Sequence, residues 1–172
     1  DHIYLFSPLV ERVKKILKTH DIGTISTIRS ERSIGRIHPG SSVLWDLAPH
    51  DISILFYVLE TAPTSARVSA LYETRGMLYD AIYELTYPAR IYFSSHISWT
   101  APIKKRTMEI IGNKGAICLE WNNGKETVTV YQKNQKQRYV AVSLDSAVPD
   151  KEPIEYMLTH FVQSIIHNRI PI

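Results

Sequence analysis

Residues 43–55 read VLWDLAPHDISIL, an apolar run interrupted by Asp46, His50 and Asp51, with Pro49 between the first two. Apolar residues recur at three- and four-residue intervals, as in a helix. Ala48, Ile52, Leu55 and Leu59 form one stripe, and Leu44, Leu47, Ile54 and Val58 form another. Proline costs nothing in the first turn of a helix and is costly inside one. Pro49 therefore predicts a start near Trp45 or Asp46, with Asp46 at or near the N-cap, and an end near Leu59. His50 lies one turn beyond Asp46 on the same side, and Ser53 and Tyr57 continue that line. The expectation is a mostly buried helix with one polar line turned toward a cleft.

Spacing leaves two accounts of the pair open. In one, Asp46 caps the helix, worth ~1 kcal/mol, and His50 is a hydrogen-bonded core histidine. In the other they form a proton-transfer pair, because histidine titrates near neutrality; a nearby carboxylate would orient the ring and raise its pKa. A metal needs more ligands than two at this spacing. His38 and Asp51 would join only if the loop folded back, so no metal site is expected.

The flanking sequence sets the architecture. Ser7-Pro8 reads as an N-cap followed by proline at the first helical position, and Val10, Val13, Ile16 and Leu17 continue at helical spacing to about Lys18. TISTIRSER, residues 24–32, alternates as a strand, and residues 33–43 hold the glycines, proline and serines of a loop. After Pro63 come seven short β-branched and aromatic segments: ARVSALYE, DAIYELTY, RIYFSSHIS, RTMEIIG, GAICLEW, ETVTVYQ and QRYVAVSL. WNNGKE carries the Asn-Gly of a tight hairpin, and Gly112 and Gly115 bracket another turn. PIEYMLTHFVQSIIHN returns to helical spacing. Many strands without intervening helices indicate an open, mostly antiparallel sheet with helices on one face, an α+β class. Residues 1–172 are read as a single domain. Tyr83, Leu85 and Tyr87 alternate with Ile82, Glu84 and Thr86, and both sets carry apolar surface. The second face is therefore either dotted with surface tyrosines or covered by another subunit.

Composition excludes several classes. Twenty Lys and Arg against 17 Asp and Glu give a net charge of +3. That falls short of a nucleic-acid-binding face. No run approaches a membrane span. The lone Cys118 permits no intrachain disulfide and suits a reducing, cytoplasmic compartment. There is no Gly-x-Gly-x-x-Gly, phosphate-binding loop or nucleophile elbow. This chain has no evident place for a nucleotide cofactor.

VLWDLAPHDISIL resembles the Asp-x-x-x-His signature of the glucose–fructose oxidoreductase / inositol dehydrogenase / rhizopine-catabolism (Gfo/Idh/MocA) family. The likeness continues through HIYLFSPLVERVKKIL, IGTISTIRSER, SSHISWTAPIKKRTMEIIGNKGAICLEW and EYMLTHFVQSIIHNRIPI, in order, and WDLAPHD is similar to members acting on nucleotide-linked sugars. The resemblance implies an NAD- or NADP-dependent sugar or polyol dehydrogenase. This chain would be its substrate and oligomerisation domain, a piece truncated at both ends and inactive alone. The N-terminal Rossmann domain, with the family's Glu-Lys-Pro segment, would lie outside it. His50 would be the acid/base, and Asp46 would bind substrate or orient His50. Lys104 and Arg106 fall in the pattern Ser98-Trp99-x-x-Pro102-x-Lys104-x-Arg106. They either contact a substrate phosphate or carboxylate or are solvated. Arg29, Arg32 and Arg36 have the same two readings, and Tyr57 joins as a further candidate contact. The implied partners are a sugar or nucleotide-sugar, the Rossmann domain, and further copies of the chain through the sheet face. A non-enzymatic binding or assembly module of the same fold is the alternative, and a cofactor-independent lyase or epimerase a third.

Overall fold

The computed structural model describes residues 2–19, 21–38, 40–122, 125–147 and 153–170. A short 3-10 turn at Ile3–Phe6 leads into helix α1, Pro8–Thr19, followed by strand β1, Ile25–Ser33, and helix α2, Val43–Leu59. Seven strands follow: β2 Ser65–Thr74, β3 Met77–Tyr87, β4 Ile91–Ser98, β5 Lys105–Gly112, β6 Gly115–Asn122, β7 Lys125–Lys133 and β8 Tyr139–Ala147. Helix α3, Pro153–Ile166, ends the order. Each of the seven strand-like segments after Pro63 forms one strand.

All eight strands join one sheet in the order β2-β3-β4-β1-β5-β6-β7-β8. Every neighbouring pair is antiparallel except β1 with β4, where Arg32 lies opposite Ile97. The WNNGKE turn centre lies outside the described residues, but the strands on either side pair with Asn122 opposite Lys125. The other turn needs its glycines for space. A Cβ on Gly112 would stand 2.2 Å from the Ile22 carbonyl oxygen, and one on Gly115 would stand 2.3 Å from that of Tyr131.

One face of the sheet is covered by α1 and α2. Ile28, Ala81, Tyr83, Leu85, Tyr87, Phe93, Ile97, Met108, Ile110, Ile117, Leu119 and Val128 are buried there or along its edge with Leu9, Val10, Val13, Leu47, Ile54 and Leu55. Burial of each large side chain contributes about 1.5–3 kcal/mol. Ser7 caps α1 as expected: its Oγ accepts from Leu9 N–H at 3.2 Å and donates to Glu126 at 2.6 Å.

Helix α2 starts earlier than Pro49 suggests. It begins at Val43 with Ser42 as its extended N-cap, so Pro49 sits inside it. Asp46 donates its own N–H to the Ser42 carbonyl at 3.1 Å and is not the cap. An interior proline costs about 3 kcal/mol. Complete burial of Val43 and near-complete burial of Leu47 offset that cost.

The other face holds Arg29, Glu31, Ser94, His96, Thr107 and Glu109 around one shallow depression. The two alternating sets of β3 separate: Tyr83, Leu85 and Tyr87 are buried, Ile82 and Glu84 half-buried and Thr86 exposed. Helix α3 buries only Ser164 among its residues and leaves Leu158, Phe161, Val162 and Ile165 exposed. Among the described residues no helix is long and apolar enough to cross a membrane.

Candidate active site

Helix α2 carries the site because it lies on β3 and β4 with its first turns near the loop after β1. Its buried stripe of Leu47, Ile54, Leu55 and Val58 also contains Asp51, which is 0% exposed. An unpaired buried carboxylate would be prohibitive, and β1 supplies its partner. Arg32, 2% exposed, donates to Asp51 Oδ1 from Nε at 3.1 Å and from Nη2 at 2.5 Å. The other oxygen accepts from Ser30 at 2.7 Å, Ser95 at 3.3 Å and Tyr83 at 3.4 Å. Burial opposes the Arg32 charge, but Asp51 and then Tyr4 outweigh it, and its pKa is raised. Spacing along the sequence offers Asp51 only as a remote metal candidate. The signal was available: an acid three and four residues from Leu47, Ile54 and Leu55 falls inside the core stripe and demands a cation.

His50 lies beside this pair, within the fields of Arg32 and Asp51. Its ring meets Tyr4 edge-on with centroids 5.1 Å apart, and Arg32 Cζ lies 4.8 Å from the same Tyr4 ring. The pKa of His50 is lowered to about 4, first by burial and then by Arg32, with Arg106 adding to the effect; Asp51 and Asp46 oppose it. The carboxylate was expected to raise that pKa. Burial and two arginines outweigh it, so the ring is neutral at pH 7.

Asp46 is engaged by side chains other than His50. Trp99 Nε1 donates to its Oδ2 at 2.8 Å, and His38 Nδ1 stands 3.5 Å from the same oxygen. The loop therefore does fold back over the start of α2, carrying His38 to within 5.9 Å of the Trp99 ring. Among the described residues no three His, Cys, Asp or Glu side chains converge as a metal site would require. The polar line does not stay together either. Ser53 Oγ donates to the His50 carbonyl at 2.8 Å, and Tyr57 OH donates to Glu11 at 2.5 Å. Both line a separate cavity of about 470 Å³ with His2, Leu5, Pro49, Ile52 and Phe56. An i, i+4 row is straight on a flattened helix, whereas the neighbouring elements divide it.

The arginines also separate. Arg106 is the register partner of Arg32 on β5 and shares its face. Arg29 faces the opposite side of the sheet, beside Glu31 and Glu109. Arg36 and Lys104 are exposed. The structure thus gathers His50, Asp46, Arg32 and Arg106 at one end of α2. Arg29 stands apart from them, as does Tyr57. Trp99, a member of the Ser98-Trp99-x-x-Pro102 pattern, joins the group through Asp46, and Tyr4 joins it unannounced by any sequence pattern.

A dinucleotide does not fit the described residues. It needs a glycine-rich turn between a parallel strand and a helix N-terminus. Here β1 ends at Ser33 and α2 begins only at Val43, with Ser42 at its N-cap.

Fold and site together define an α+β domain in which His50, Asp46, Arg32 and Arg106 cluster where one helix meets a mixed sheet. The family model described as the GFO/IDH/MocA C-terminal domain matches residues 10–118, and the chain belongs to that family. No curated protein matches the sequence. Among solved structures, an aldose–aldose oxidoreductase from Caulobacter crescentus complexed with glycerol superposes with a TM-score of 0.80 at 13% identity over 99% of this chain and 54% of that one. UDP-N-acetylglucosamine 3-dehydrogenase from Acidithiobacillus ferrooxidans gives 0.72 at 18% identity over 94% of this chain and 52% of that one. A 3-ketoreductase from Actinomadura kijaniata in complex with NADP gives 0.75 at 14% identity over 99% and 53%. The chain spans about half the length of these structures. At such identities the likeness is one of fold.

Proposed function

We propose that the chain is the substrate-binding half of an NAD- or NADP-dependent cytoplasmic oxidoreductase acting on a sugar or nucleotide-sugar, with His50 as its acid/base. The observation that carries this reading is the placement of His50: a half-buried imidazole against Tyr4 and beside the Arg32–Asp51 pair, with an Nδ1 that has no partner among the described residues. A neutral ring accepts the proton of a substrate hydroxyl while the same carbon gives up its hydride. The hydride acceptor would be held by residues outside this chain. Asp46, partly exposed and oriented by Trp99, is suited to accept a hydrogen bond from a neighbouring sugar hydroxyl. The open sheet face would join copies of the chain.

The test uses the complete protein that includes a dinucleotide-binding domain. His50→Ala should reduce kcat by about a hundredfold or more, the range of general acid–base contributions, with cofactor affinity little changed. Unchanged turnover removes His50 from the proton-transfer role.

A further inference from the structure

Among the described residues five buried side-chain polar atoms lack a hydrogen-bond partner, and four are nitrogens of one neighbourhood: Arg32 Nη1, His50 Nδ1, Arg106 Nε and Trp121 Nε1. Tyr4 ties the group together. Its ring lies 5.1 Å from that of His50 and 5.7 Å from that of Trp121, and Arg32 Cζ lies 4.8 Å from Tyr4 and 6.0 Å from Trp121. Arg106 extends alongside Arg32 as its partner across β1 and β5. Buried donors are nearly always satisfied, and the arginine and indole nitrogens can only donate. The acids nearby are already engaged: Asp51 by Arg32 and three hydroxyls, Asp46 by Trp99, and Glu126, opposite Trp121 on β7, by Ser7. Asp51 balances Arg32, which leaves Arg106 without a carboxylate partner among the described residues. His50 and Arg106 are only half-buried, so the group meets the surface at these two residues.

We infer that Arg106, backed by Arg32 and Trp121, forms a receptor for an oxyanion carried by the substrate, a carboxylate or a phosphate, placed beside His50. This rests on the reading of the His50 neighbourhood as a substrate site. Arg106 offers the planar fork that matches either group. Its location also ties binding to chemistry. Burial is the main cause of the lowered His50 pKa, with Arg32 and Arg106 adding to it; an anion here opposes the two arginine fields and so moves the ring back toward the range in which a base is effective.

The test measures binding by the chain at low salt by calorimetry, with glucuronate, glucose 6-phosphate and glucose as probes. His50 is followed by NMR in parallel. One of the two anions should bind at least tenfold more tightly than glucose, and which one does identifies the group as carboxylate or phosphate. Arg106→Gln should weaken that probe about ten- to a hundredfold, as expected for a charged hydrogen bond, and Arg106→Lys should recover little of the loss. Trp121→Phe, which keeps an aromatic ring and removes the N–H, should weaken it several-fold without altering the circular dichroism. Saturation should move the His50 titration upward. Equal binding of glucose and both anions, or anion affinity unchanged by Arg106→Gln, overturns the receptor. Turnover of the complete protein does not enter these measurements, so such a failure leaves the acid/base role of His50 to its own test.

Discussion

Replacing Asp51 by asparagine preserves the size of the side chain and removes its charge, leaving Arg32, 2% exposed, as a cation without its counter-ion. Five hydrogen bonds converge on that carboxylate, two from Arg32 and one each from Ser30, Ser95 and Tyr83. Breaking a buried ion pair from one side costs about 3–5 kcal/mol, because the remaining charge stays out of water. For a domain of this size that is a fall of roughly 6–20 °C in Tm. The assay is urea unfolding of the chain, of Asp51→Asn, of Arg32→Met and of the double variant, each in low and high salt. The double variant should be less destabilised than the sum of the single ones by at least ~1.5 kcal/mol, since it buries no lone charge. Salt should alter the coupling little, because the pair is shielded from mobile ions. Additive effects, or a coupling that disappears in salt, would refute the view that this pair is dry and holds α2 on the sheet.

Other measurements test other parts of the structure. The pKa of His50 is depressed from 6.5 to about 4 in the folded chain, so its neutral form stabilises the fold above pH 6.5, and that contribution declines as pH falls toward 4. His50→Gln should flatten the stability profile in that window; parallel profiles would show that the ring is solvated. Gly112→Ala places a methyl group against the Ile22 carbonyl oxygen and should cost about 1–3 kcal/mol, as overpacking does; a neutral effect in denaturant melts would contradict the close approach. If copies of the chain join through the open sheet face, light scattering at high concentration should give a dimer or larger, and a monomer would count against that interface.

The strands and helices were legible in sequence because each is set by local periodicity: alternation over residues 66–144 and three- and four-residue spacing on either side. The start of α2 departs from the local pattern because Pro49 is a local penalty, while the gain from burying Val43 and Leu47 is tertiary. The sequence by itself determined an α+β domain whose second helix bears Asp46 and His50, because backbone hydrogen bonding and apolar patterning act over a few residues. Only the tertiary structure decided the state of those side chains. The parallel pairing of β1 with β4 and the registry of β1 with β5 bring Arg32 and Arg106 to His50, and the returning loop brings His38 to Asp46. Charges that meet across such distances in the chain set the pKa of His50 through burial and field, and neither can be read from spacing along one helix.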